Sequence, residues 1–251
     1  MDIMRLFRSP PPKKATVPEG TRIYAVGDIH GRADLLQAMF DRVDADLAQR
    51  PIERPIHVFV GDYIDRGPRS AEVIDLLIRR QQTHLTVCLK GNHEVYLCDF
   101  LDQPEILHHW AHYGALPTLL SYGLQPSLNP ATEEQISLSW ELKRRMPREH
   151  IAFLSSLPLT FSCGDYFFAH AGVRPGIPLE YQTPDDLLWI RGEFLNYEGS
   201  FGKVVVHGHT PMMEAAVHKN RINIDTGAYA TGKLTCVVLD RDQQVFIQQT
   251  R

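Results

Sequence analysis

Apolar residues fall along this chain in two alternating rhythms. Short apolar runs at 22–26, 56–60 and 85–89 read as buried strands. Between the first two, Leu35, Leu36, Met39, Val43 and Leu47 recur at helical spacing, predicting a helix over 34–48 that Pro51 and Pro55 end. Val73, Ile74, Leu77 and Ile78 predict a second helix with Ser70 as its N-cap. Strand, helix, strand, helix, strand is the rhythm of parallel βαβ units with right-handed crossovers. From 95 to 158 the rhythm changes. Trp110, Tyr113, Leu116, Leu119 and Leu120, then the run 133–157 broken by Pro147, predict a helical insert over one side of the strand ends. Strands resume at 166–169, 203–206, 222–224, 234–239 and 245–248, the last ones with hairpin-like spacing. They predict a second sheet, mixed or antiparallel, packed on the first to make a sandwich with helices outside.

The residues that end the apolar runs carry the chemistry. Gly61-Asp62-Tyr63-Ile64-Asp65-Arg66-Gly67 follows the run 56–60. Four other polar clusters also follow apolar runs: Gly27-Asp28-Ile29-His30-Gly31, Gly91-Asn92-His93-Glu94, Ala169-His170-Ala171-Gly172 and His207-Gly208-His209-Thr210. Open α/β sheets bind ligands at the carboxyl ends of their strands. A pair of hard divalent cations needs oxygen and imidazole donors on such a rigid frame. Asp28 and His30 sit two apart and can face one ion, while the two oxygens of Asp62 can bridge two. The expected set is Asp28, His30 and Asp62 on one ion, and Asp62, Asn92, His170 and His209 on the other. Manganese is the expected metal, and iron or zinc suits the same donors. A single Asp-x-His is far more often structural than ligating, but five such clusters at five strand ends are hard to produce by packing alone. His108, His109 and His112 lack that frame and acidic partners, so they read as surface or packing residues.

Composition narrows the function classes. The chain has 251 residues, enough for one α/β domain with a full core. Its 26 Lys+Arg against 30 Asp+Glu include no long basic run, so nucleic acid is not an expected partner. No stretch approaches the roughly 20 apolar residues of a membrane helix, and the first nine residues lack the apolar core of a secretory signal. Cys88, Cys98, Cys163 and Cys236 show no paired spacing, which fits a reducing, cytoplasmic setting. Residues 1–20 contain three consecutive prolines and two lysines and read as a flexible arm, with Leu6 and Phe7 as anchors if it docks. Residues 21–251 are then the catalytic domain, with the helical insert at about 95–158.

Gly-Asp-Ile-His-Gly, Gly-Asp-Tyr-Ile-Asp-Arg-Gly and Gly-Asn-His-Glu, followed by a lone His and a Gly-His-Thr, resemble the calcineurin-like metallophosphoesterases. The Asp-Arg-Gly and Asn-His-Glu endings are most similar to the phosphoprotein phosphatase branch, in its small bacterial and phage serine/threonine form. The resemblance spans 22–240 and implies a four-layer αββα sandwich. It implies a metal-dependent phosphomonoesterase acting on phosphoserine or phosphothreonine in proteins, by direct attack of a metal-bridging hydroxide. His93 resembles the general acid, Asp65 its orienting partner, and Arg66 a phosphate clamp. Arg191 is similar to a second phosphate-binding arginine, with Arg174 a competing candidate, and Asn92 counts on the substrate side as well as with the second ion. Where many relatives have Gly-His-x-His, this chain has Pro211, so the first ion is expected to carry fewer protein ligands. His207 reads as structural. The nearest enzymatic alternative is a dinucleoside polyphosphate hydrolase, whose motifs usually end differently from Asp65 and Glu94. A non-catalytic scaffold that binds phosphoproteins is the alternative of another class, and no matched position is degenerate.

Overall fold

The structure, a computed structural model, describes residues 14–250. Every residue of β1 (Thr21–Val26) is buried, so both faces of its sheet are covered. The chain continues through α1 (Ala33–Gln49), β2 (Arg54–Phe59), α2 (Ser70–Thr83) and β3 (Thr86–Cys88). β1 pairs parallel with β2, and β2 with β3, as the alternating rhythm predicts. The helical insert runs through α3 (Asn92–Asp102), α4 (Ile106–Trp110), α5 (Ala115–Ser121), α6 (Thr132–Arg145) and α7 (Arg148–Ser156), with Pro147 at the break between the last two. Then come β4 (Thr160–Cys163), β5 (Tyr166–Ala169), α8 (Pro184–Trp189), α9 (Gly192–Leu195), β6 (Val204–His207), β7 (Ala216–Val217) and β8 (Arg221–Asn223). α10 (Ala228–Thr231), β9 (Lys233–Asp240) and β10 (Gln243–Thr250) complete the described chain.

The first sheet has the order β10-β9-β1-β2-β3 and the second β4-β5-β6-β8-β7. This corrects the expectation that 234–239 and 245–248 join the second sheet. β9 pairs antiparallel with β1, and β10 with β9. Without β9, the buried, apolar β1 would present an open edge of unpaired N–H and C=O groups. The second sheet is instead built around β5, β6 and β8, which run parallel. Two short strands escape the sequence pattern. β4 is mostly half-exposed, and β7 has only two residues, too few for a period of two to register.

Alternation along the strands sets the layers. Ile23 and Ala25 of β1 join Tyr166, Phe168, Val206 and Ile222 in a core between the two sheets. Tyr24 and Val26 face the other way, into a core shared with α1, α2 and the insert. Phe167, Ala169 and Val205 face outward from the second sheet onto Leu187, Ile190 and Phe194 of the α8–α9 region. Helix, sheet, sheet, helix is therefore the layer order, the αββα sandwich. Among the described residues, no helix is long and apolar enough to cross a membrane.

Two local expectations change. Ser70 is the first residue of α2 rather than its cap, and its hydroxyl accepts from the Asp65 N–H at 3.1 Å. Of the segment expected to be an arm, residues 1–13, with Leu6 and Phe7, lie outside the described residues. Thr16 bonds through both its N–H and its hydroxyl to Asp165 at 3.0 Å, and Val17 is buried in the core between the sheets.

Asp165 precedes β5, whereas His170 follows it, so this anchoring lies at the strand end away from the polar turns. Deleting residues 1–20 is expected to lower the melting temperature, because exposing the site of a buried valine costs about 1.5–3 kcal/mol. Turnover of a small aryl phosphate is expected to stay unchanged. A fall in turnover at intact folding, by calorimetry and initial rates, would place the segment in the site.

Candidate active site

The polar turns converge at the carboxyl ends of the parallel strands of both sheets. Asp28 and His30 follow β1, Asp62 follows β2, and Asn92 and His93 open α3 just after β3. His170 follows β5 and His209 follows β6. The turns are sewn together by backbone. The Asp62 carbonyl accepts from the N–H groups of Ile29 and His30 at 3.0 and 2.9 Å. Glu94, fully buried, accepts from Asp62 N–H at 2.9 Å, Tyr63 N–H at 2.8 Å and Gly91 N–H at 2.8 Å. A Cβ on Gly208 would stand 1.9 Å from Asp28 Oδ1, so only glycine lets the two sheets approach here. Among the described residues, six non-glycine positions have positive φ, and five are His30, Asp62, Asp65, Arg66 and His209. Left-handed backbone disfavours side chains by about 1–2 kcal/mol per residue, and such strain collects at functional sites.

The six expected ligand residues are all brought together, and all are buried. Asp62 Oδ2 lies 3.5 Å from His30 Nε2, and Asp62 Oδ1 lies 3.4 Å from His170 Nε2, so its two oxygens face two different clusters. In the second cluster, His170 Nε2, His209 Nδ1 and Asn92 Oδ1 lie 2.9–3.1 Å from one another. Backbone carbonyls set the tautomers: His30 Nδ1–H donates to Ile64 O and His170 Nδ1–H to Val60 O, leaving each Nε2 lone pair directed inward. Burial lowers the pKa of His30 to about 3 and also lowers those of His170 and His209, so these imidazoles are neutral, as a cation requires. Burial and the carboxylates of Asp225 and Asp62 raise the pKa of Asp28. Burial likewise works against the Asp62 carboxylate, but its pKa is lowered on balance, and with His30, His170 and His209 neutral the neighbouring charge that favours it is that of His93. Asp28 Oδ1 has no hydrogen-bond partner. Converging lone pairs, buried carboxylates and an orphaned oxygen fit a pair of divalent cations.

Around this centre sit groups that can handle a phosphoryl ester. His93 Nδ1–H donates to Asp65 Oδ2 at 2.6 Å. Burial works to lower the pKa of His93, but Asp62 and the bond to Asp65 outweigh it and raise it. Arg66 spans the Nε2 atoms of His30 and His93 at 3.1 and 3.3 Å and lies over the Tyr229 ring at 4.6 Å. Arg191 is exposed and bonds Thr210 Oγ1 at 3.2 Å, and its charge is felt by His170 and His209. Arg174 is not brought to this centre. Its guanidinium is held by Asp186 at 2.6 Å and by Glu193. His207 is fully buried against Phe194, a packing residue. His108, His109 and His112 lie on the exposed surface of the insert.

Sequence reasoning missed four residues at the site. Asp225, buried just after β8, follows an apolar run and precedes Thr226-Gly227, the same signal that marked the other turns. Tyr229 faces His30 edge-on at 5.4 Å between ring centroids. Trp110 and Thr118 of the insert reach Asp65, and nothing in their local sequence announces it. On the insert side, Tyr113 stacks on Tyr96 at 5.4 Å, and Tyr96 meets Trp189 edge-on, making an aromatic wall beside His93 and His209.

Two buried clusters of carboxylate, amide and imidazole groups, a bonded His–Asp pair and nearby arginines fit a phosphoester hydrolase, and the chain belongs to the calcineurin-like phosphoesterases, whose family pattern matches residues 21–232. It is 28% identical over 236 residues to the bis(5'-nucleosyl)-tetraphosphatase PrpE (asymmetrical) of Oceanobacillus iheyensis, over 85% of this chain and 87% of that protein. The solved structure of a candidate diadenosine tetraphosphatase superposes with a TM-score of 0.64 at 20% identity, covering 94% of this chain and 98% of its own. A protein serine/threonine phosphatase of Saccharomyces cerevisiae superposes with a TM-score of 0.53 at 15% identity, covering 92% and 80%. These superpositions show a shared fold.

Glu94→Gln is expected to destabilise the protein by about 1–3 kcal/mol, because an amide N–H₂ would face buried N–H donors. Chemical denaturation measures this directly, and a loss below experimental error would mean that the Glu94 carboxylate does not hold the turns.

Proposed function

We propose that this protein hydrolyses dinucleoside polyphosphates of the diadenosine tetraphosphate type. The observation that carries the reading is the similarity, over nearly the whole of both chains, to a relative named for that activity. The two motif residues that speak against it are Asp65 and Glu94, and both are fully buried. Glu94 bonds only backbone N–H groups, and Asp65 faces His93 and the insert, so neither side chain meets a substrate. The aromatic wall of Tyr96, Tyr113 and Trp189, with Tyr229 opposite, offers faces for base stacking, typically worth about 1–3 kcal/mol per base.

In this reading Asp28, His30 and Asp62 hold one divalent cation, and Asp62, Asn92, His170 and His209 the other. Manganese is the proposed metal. When bound, the pair supplies Lewis-acid polarisation and water activation. Arg66 swings from the two imidazoles to the phosphoryl oxygens, and Arg191 grips them from the His170 and His209 side, each with planar, two-point geometry. His93, held by Asp65, gives a proton to the departing oxygen from Nε2. A second reading, phosphoserine or phosphothreonine hydrolysis in proteins, is favoured by that pair. An alkoxide leaves poorly and needs the proton more than a departing nucleotide does.

Assaying the manganese-loaded protein on diadenosine tetraphosphate and on a phosphoserine peptide side by side tests the substrate. A higher kcat/KM on the dinucleotide is expected, and the reverse order overturns the proposal in favour of the second reading. Metal stripping should abolish both activities. Asp62→Asn is expected to lower the metal content below two per chain, whereas His93→Asn keeps two and loses turnover by about 10²–10⁴-fold. Elemental analysis separates the two variants, and metal missing from His93→Asn would make His93 a ligand.

Arg66→Ala and Arg191→Ala are each expected to cost on the order of 1.5–3 kcal/mol in kcat/KM and to weaken inhibition by phosphate. Arg174→Ala should cost less, since its charge is spent on Asp186 and Glu193. Steady-state kinetics with Arg174→Ala as the worst of the three would reverse the assignment.

A further inference from the structure

The turn that carries Asp65 and Arg66 is gripped from outside by the helical insert at three positions spaced by four. Trp110 Nε1–H donates to Asp65 Oδ2 at 2.6 Å. Gly114 O accepts from Arg66 N–H at 3.0 Å. Thr118 Oγ1–H donates to Asp65 Oδ1 at 2.6 Å. Thr118 Oγ1 also accepts from Asp65 N–H at 2.8 Å and lies 3.0 Å from Ser70 Oγ. A hydroxyl has one proton to give, and the carboxylate takes it, so Ser70 donates to Thr118. Asp65, Trp110 and Thr118 are all fully buried.

What is gripped is strained. Asp65 and Arg66 have φ of 72° and 65° in succession. Such backbone persists only where its surroundings over-determine it. Gly114 has φ of 101°, and a Cβ there would stand 2.8 Å from Arg66 Cγ and 3.0 Å from Arg66 N. The grip therefore requires glycine at its middle position. Asp65 Oδ2 is shared between Trp110 and His93 Nδ1, each at 2.6 Å, so Trp110 fixes the direction from which the carboxylate meets His93.

We propose that Trp110, Gly114 and Thr118 are positioning residues of the reaction: the insert aims His93 through the Asp65 carboxylate and Arg66 through its backbone. The helical insert is thus part of the catalytic apparatus as well as a wall beside it. The proposal rests on His93 as proton donor and holds for either substrate class. Packing alone would make these residues matter for stability and treat all substrates alike. Aiming a proton donor makes them matter more when the leaving oxygen is more basic.

Thr118→Val keeps shape and removes the hydroxyl, Trp110→Phe keeps a ring and removes the N–H, and Thr118→Ser keeps the hydroxyl. These variants and His93→Asn would be compared on phenyl phosphate and 4-nitrophenyl phosphate, with melting temperature and metal content measured on each. Thr118→Val and Trp110→Phe are expected to lose about tenfold more kcat on phenyl phosphate than on 4-nitrophenyl phosphate, part of the 10²–10⁴ a general acid supplies. KM and metal content should stay at wild-type values, and Thr118→Ser should recover most of the loss. If His93→Asn shows the ester dependence while both Thr118→Val and Trp110→Phe lose equally on the two esters, the positioning role is overturned and the proton-donor reading survives. Equal losses for His93→Asn itself overturn the proton-donor reading and the positioning role with it.

Discussion

The Asp62 residue is where the structure is tied. Its carbonyl receives two N–H groups from the turn after β1, and its own N–H is held by Glu94 from the turn after β3. One of its oxygens faces His30 and the other His170, and Oδ1 also accepts from His93 N–H at 3.2 Å. A single residue thus fixes three turns of one sheet to each other and to a histidine of the facing sheet. Its φ of 53° is the cost of making all these contacts at once. Asp62, Asp28 and Asp225 are all buried, and burial with the neighbouring carboxylates raises the pKa of Asp28 and of Asp225.

Much of this was legible in the sequence, for physical reasons. Strands buried on both faces write unbroken apolar runs, and a metal centre at their ends writes Asp, His and Asn directly after those runs. The convergence of Asp28, His30, Asp62, Asn92, His170 and His209 could therefore be read residue by residue. The pairing of β9 with β1 could not, because the mostly apolar stretch 234–239 fits either sheet and only the open edge of β1 chooses between them. Ser70 looked like a cap because capping is local. Its hydroxyl is instead used by Asp65, a tertiary contact with no sequence period. The sequence ranked Arg191 ahead of Arg174 only by resemblance, and the acids that occupy Arg174, which come from two different helices, could not be read from it.

Substrate choice lies in the parts the motifs do not describe. The strand-end residues define hydrolysis of a phosphoester, and they are buried in a form compatible with either leaving group. The surroundings of the centre are the aromatic wall, Tyr229 and Arg191, and these come from the insert, α8, the α8–α9 junction and α10. Elements that look like decoration of a shared fold thus border the centre on every open side. Fold similarity carries the class of chemistry and does not by itself fix the substrate.

The position of β9 has a consequence for how the protein is made. The antiparallel partner of β1 is encoded more than 200 residues after it, with Val26 opposite Cys236. Gly27 N–H, at the mouth of the turn that carries Asp28 and His30, donates to Thr235 O at 3.0 Å. Until β9 is made, then, β1 has one open edge, and His209 arrives only shortly before that edge is closed. Pairings this distant in sequence make folding slow and leave strand edges open to other chains meanwhile. The cluster of Asp28, His30, Asp62, Asn92, His170 and His209 accordingly forms only after the chain has been made through His209, and the edge of β1 beside it closes only with β9.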